Sequence, residues 1–60
     1  MKFKVGDKVI KRGGSYEATG TIVAAFLNLA GEERVVFEFS AHYGMLHIFS
    51  PSQLELIVPI

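Results

Sequence analysis

GMLHIFSPSQLEL, residues 44–56, decides how the rest of the chain is read. It holds a short apolar run (residues 45–49), a Ser-Pro turn and a second short run beginning at Leu54. Short runs rich in Leu, Ile and Phe, bounded by Gly, Ser and Pro, predict strands. Ser50 before Pro51 predicts one tight 3₁₀ turn, with Ser50 capping and Pro51 at the first position. Within the first run, Leu46 and Ile48 share one face, and Met45, His47 and Phe49 share the other. With Leu46 and Ile48 assigned to the core, the Met45–His47–Phe49 face lies outside. A face of Met, His and Phe is too apolar for plain solvent, so it is expected to be an interface or a ligand surface.

Working outward, turn signals recur at VGDK, KRGGS, ATG, NLAGEE and HYG. Between them lie runs rich in Val, Ile and Phe, which predict strands over 7–12, 19–28, 33–40, 45–49 and 54–58. In the third, Val35, Phe37 and Phe39 share one face, and Val36, Glu38 and Ser40 the other. The GEE segment is expected to be a hairpin connection. Gly13, Gly14 and Gly20 are expected where φ is positive. No segment has a helical period. Five short antiparallel strands with one 3₁₀ turn before the last describe an all-β fold, a small five-stranded SH3-like barrel, as a single domain over residues 1–60.

A chain of 60 residues buries only about 60% of the surface it exposes when unfolded. Chains this small need disulfides, a metal or self-association for stability. Cysteine is absent, which excludes disulfides and thiolate zinc sites. Half of the residues are hydrophobic and five are Phe, so self-association is the expected outlet for the apolar surface. Six basic and six acidic residues give a formal net charge of zero. That argues against nucleic acid as a partner. Lys2, Lys4, Lys8, Lys11 and Arg12 crowd the first dozen positions, and read as a solvated strand edge with Lys11 as the exception. No apolar run approaches the roughly 20 residues needed to cross a bilayer. MKFKVGDKV lacks the apolar core of a signal peptide, so a cytoplasmic location is expected.

Motifs for common chemistries do not appear. KRGG lacks the GxxxxGK[ST] phosphate-loop frame. No Ser-His-Asp or Cys nucleophile constellation is present. His42 and His47 lie five apart, and a third metal ligand such as Asp7 or Glu38 would reach them only through the fold. His42 reads as a surface turn histidine or, more sharply, as a subunit-contact histidine sensitive to protonation.

VGDKVIKRGG, GTIVA, AHYG and GMLHIFSPSQLELI, in this order and spacing, resemble the type II dihydrofolate reductases, the small trimethoprim-insensitive enzymes. The likeness spans residues 5–57, with one residue inserted between Gly14 and Gly20. It implies an SH3-like barrel that assembles as a homotetramer around one central pore. NADPH and dihydrofolate enter that pore from opposite sides and stack at its centre. The resemblance puts Lys11 on the pore lysine that attracts the anionic ends of both ligands. Leu46 falls on the apolar residue before the pore centre, and Ile48 on the residue whose backbone holds the nicotinamide carboxamide. His47 and Phe49 stand where the family has Gln and Tyr, lining the pore against both rings. By the same likeness, His47, Ile48 and Phe49 carry the reaction, and Lys11, His47, Ile48 and Phe49 bind substrate. His42 falls on the interface histidine whose protonation favours dissociation to dimers. Tyr43 replaces the family proline. Phe49 keeps the ring and lacks the phenol, losing a hydrogen bond of about 0.5–1.5 kcal/mol.

Two other readings compete. VGDKVIKRGGSYEATGTIV also looks like the first half of small barrels in ribosomal and transcription proteins. The chain would then be a non-catalytic SH3-like binding module using Lys8, Lys11 and Arg12. Alternatively, it is a pore-forming homo-oligomer without reductase activity.

Overall fold

A computed structural model describes residues 2–57. Five strands follow in chain order: β1 (Lys8–Lys11), β2 (Ala18–Leu27), β3 (Glu33–Phe39), β4 (Leu46–Phe49) and β5 (Leu54–Leu56). The 3₁₀ turn occupies Pro51–Gln53, with Ser50 at the N-cap and Pro51 at its first position, as the sequence predicts. The predicted strands stand where expected, with ends shifted by one or two residues. Val58, the predicted end of the last strand, lies outside the described residues. No helix among the described residues is long and apolar enough to cross a membrane.

The strands form one antiparallel sheet in the order β4-β3-β2-β1-β5. β2 binds the two halves together. Ala18–Thr21 pairs with β1, and Gly20–Leu27 pairs with β3. The β2–β3 register shifts between Ile22 and Ala24, an irregularity of the kind that bends a strand and increases its twist. Two backbone bonds brace the bend: Gly6 N–H donates to the Ile22 carbonyl (2.8 Å), and Ile22 N–H donates to the Asp7 carbonyl (2.9 Å). The fold is all-β with five strands as expected, but among the described residues β4 and β5 remain the edges and no ladder joins them, so the sheet does not close into the expected barrel. Both edges still serve one core, because Phe49 of β4 and Leu54 of β5 belong to the same buried cluster.

The core is Phe3, Val9, Ile22, Val35, Phe37, Phe49 and Leu54. Strand periodicity selects most of it: Val35 and Phe37 alternate with the less buried Val36 and Glu38. Phe3, ahead of the first strand, joins the core without a periodic signal. Phe37 meets Phe39 and Phe49 edge-on, with centroids 4.9 and 5.3 Å away. Gly13 and Gly14 have positive φ, as predicted, but Gly20 does not. Gly20 is needed for closeness instead: a Cβ there would lie 2.5 Å from both the Glu38 carbonyl oxygen and Phe37 Cζ.

The β2–β3 connection is a tightly bonded turn. Asn28 Oδ1 accepts from the N–H groups of Ala30 (3.0 Å) and Glu32 (2.9 Å). Asn28 N–H donates to the Glu32 carbonyl at 2.9 Å. Short polar side chains that bond nearby backbone in this way favour turns over continued strand.

Candidate functional site

β4 is the strand on which the sequence concentrates its candidates, and its faces are the reverse of the expectation. Phe49 is buried in the core, whereas Leu46 and Ile48 are 54% and 56% exposed. The register explains the inversion. Val35 faces Phe49 and Phe37 faces His47, while Val36 faces Ile48 and Glu38 faces Leu46. Directly opposed residues share a sheet face, so His47 and Phe49 lie on the side of Val35 and Phe37. Leu46 and Ile48 lie on the outer side with Val36. The parity grouping holds, but the assignment of inside and outside does not. His47 is on the core side yet exposed, because β4 is an edge and nothing among the described residues covers it there.

The backbone of Ile48 follows from the same ladder. Phe39 N–H donates to the Met45 carbonyl at 3.1 Å. Hydrogen-bonded and non-bonded pairs alternate along an antiparallel ladder. Phe37/His47 and Val35/Phe49 are then bonded pairs, and Val36/Ile48 is not. The N–H and C=O of Ile48 therefore point away from β3, to the open edge. Beside them lies a shallow pocket of about 510 Å³ lined by Val36, Leu46, His47 and Ile48. One edge thus offers a donor, an acceptor, apolar side chains and a flat imidazole. Val36 is a lining residue the sequence reading missed; its register opposite Ile48 was the missing information.

Lys11 stands apart from this edge, on β1 beside β5. It shares the inward face of Val9 and is only 6% exposed. Its Nζ donates to the carbonyls of Gly13 (2.6 Å) and Tyr16 (3.0 Å) and lies 4.0 Å from the Tyr16 ring centroid. The ammonium thus fastens the β1–β2 loop from inside. Carbonyls do not cancel its charge, and one of its three N–H groups is left over. Lys11→Met is expected to leave two carbonyls without their donor and to cost about 1–2 kcal/mol; a lowered urea midpoint in equilibrium unfolding checks it.

The other early basic residues are tied to neighbours. Lys4 pairs with Asp7 (3.7 Å), and Arg12 with Glu17 (3.9 Å) and Glu55 (3.2 Å). Lys8 Nζ donates to Thr21 Oγ1 at 2.9 Å. These are exposed contacts of small individual worth, but they leave the basic cluster with acidic company.

His42 sits in the exposed turn between β3 and β4, where its N–H donates to the Phe39 carbonyl at 3.3 Å. It borders a separate groove of about 520 Å³ with Ile10, Thr19, Phe39 and Met45. The structure therefore brings Leu46, His47 and Ile48 together, withdraws Phe49 into the core, and leaves Lys11 and His42 elsewhere on the same chain. Among the described residues no group of three or more His, Cys, Asp or Glu is arranged to hold a metal ion. No protein-family model matches this sequence, and no curated protein matches it.

Proposed function

We propose that this chain is a type II dihydrofolate reductase-like protein, a cytoplasmic homotetramer that reduces dihydrofolate with NADPH in a central pore, insensitive to trimethoprim. The observation that carries the reading is the outward-turned N–H and C=O of Ile48 on an open strand edge. They suit a carboxamide, which needs one donor and one acceptor side by side. Leu46 and Ile48 offer apolar area next to them, and the His47 imidazole offers a flat face for a ring to stack on.

Bound NADPH would supply the hydride; the chain's own residues would contribute placement. By the same likeness no side chain is a dedicated proton donor, so the accompanying proton would come from water. Lys11 would act at a distance: four uncancelled charges, one per subunit, would draw anionic ligand ends toward the pore. Assembly would also cover Leu46, Ile48, Leu56 and Ile57, which one chain leaves exposed.

The test follows NADPH absorbance with purified protein, with and without dihydrofolate and with trimethoprim. Turnover is expected to require dihydrofolate and to persist in trimethoprim. A purified tetramer that neither binds NADPH nor oxidises it would refute the proposal, and NADPH binding without turnover would favour a non-catalytic pore. Ile48→Pro probes the central observation. Proline is tolerated on an edge strand where its missing N–H faces outward, so the fold should survive. NADPH affinity should fall by up to about tenfold, the worth of one neutral hydrogen bond. Calorimetric titration of the folded variant reads it.

A further inference from the structure

Six side chains form an unbroken row between the two places the proposed function needs. Lys11 lies over Tyr16, whose ring stacks on Phe39 at 6.5 Å and 26°. Phe39 meets Phe37 edge-on at 4.9 Å and 87°, and Phe37 meets Phe49 at 5.3 Å and 89°. Phe49 then meets the His47 imidazole at 4.5 Å and 35°. The row begins at the buried lysine and ends at an exposed imidazole on an open edge.

An exposed imidazole on an edge strand is normally free to change rotamer, and ordering it costs entropy. Here the ring two residues on lies against it, on the same face of β4. Phe49 itself has no such freedom. It is 3% exposed, and Phe37, fully buried, abuts it at a right angle. At that burial its ring cannot touch a ligand at the β4 edge unless the core opens.

We propose that Phe49 is a positioning residue that acts through His47: wedged against Phe37, its ring sets the plane the imidazole presents at the open edge. The same row continues through Phe39 and the half-exposed Tyr16 to Lys11, so the imidazole and the ammonium stand at the two ends of one line of contacts. Phe49 therefore tunes ligand binding without contacting ligand. The claim about binding rests on the proposed function; the claim about the imidazole does not.

Proton NMR of the wild-type protein tests it, with His42→Gln assigning the two histidines. The His47 ring protons should lie upfield of those of His42, shielded by the Phe49 face, and show cross-relaxation to it. Phe49→Tyr keeps the ring, so the folded variant should retain the upfield His47 signals. Phe49→Leu should return the His47 protons toward the His42 position. It should also weaken NADPH about tenfold, the upper end of what one aromatic contact is worth. Unshielded His47 protons in the wild type, or unchanged His47 shifts in a folded Phe49→Leu protein, would overturn the inference. Should Phe49→Leu not fold, the wild-type and Phe49→Tyr spectra still decide it. Shielded His47 protons in a protein that binds no NADPH would uphold the positioning and sink the reductase reading.

Discussion

Phe37→Ala is expected to leave the isolated chain unfolded at room temperature. Phe37 is fully buried, faces Ile22 across the β2–β3 ladder and takes the edges of two other phenylalanine rings. Removing such a ring costs about 3–5 kcal/mol, through lost transfer energy and the cavity left behind. A core in a chain this small supplies rarely more than about 3–5 kcal/mol in total. The substitution therefore consumes the whole margin. Circular dichroism should show loss of the strand signal, and urea titration should show no cooperative transition. A cooperative melt close to the wild type would mean that the row of rings is not the centre of the fold. The comparison must hold protein concentration fixed, since self-association adds stability by mass action.

Gly20→Ala should be the next most damaging change, although it adds a single methyl group. The added Cβ would sit 2.5 Å from the Glu38 carbonyl oxygen and from the Phe37 ring. A side-chain end can yield, but that carbonyl belongs to β3, which is fixed on both sides by its ladders. Relief would require β2 to move away from β3 where the long strand passes between the two halves of the sheet. Overpacking of this kind costs typically about 1–3 kcal/mol, and the backbone contact argues for the upper part of that range. The expected readout is a lower urea midpoint at unchanged slope. Gly13→Ala makes a useful contrast. Nothing lies within 4 Å of its added Cβ, and its φ of +81° leaves only backbone strain. If the two variants lose equal stability, the close-approach account of Gly20 fails.

The interplay of Lys11 and Phe49 shows how far a resemblance in sequence reaches. Both occupy positions that the likeness assigns to a ligand. Folding encloses one in a loop and packs the other into the core. Ile48, to which the likeness assigns a main-chain role, has its N–H and C=O turned to the open edge.

Much of the architecture was legible from residues alone. Alternation marked Val35 and Phe37 as one face of β3, and turn residues separated five runs that became five strands. Ser50-Pro51 announced the 3₁₀ turn. Local chemistry settles such features: φ preferences, hydrogen bonds of short side chains, and the strand period. The burial of Lys11 was not read from the sequence, which assigned that lysine to a ligand-facing pore, although it lies on the same strand face as Val9.

Which side of β4 faces the core was decided only by tertiary structure. MLHIF is apolar at both parities, so alternation yields two faces without saying which is inside. The choice is made by register against β3, where Phe49 opposes Val35 and Ile48 opposes Val36. A slip of one residue would exchange the faces. The same pairing turns the backbone of Ile48 outward and sets His47 against Phe49. Cross-strand register depends on residues distant in the chain, and no reading of β4 by itself contains it.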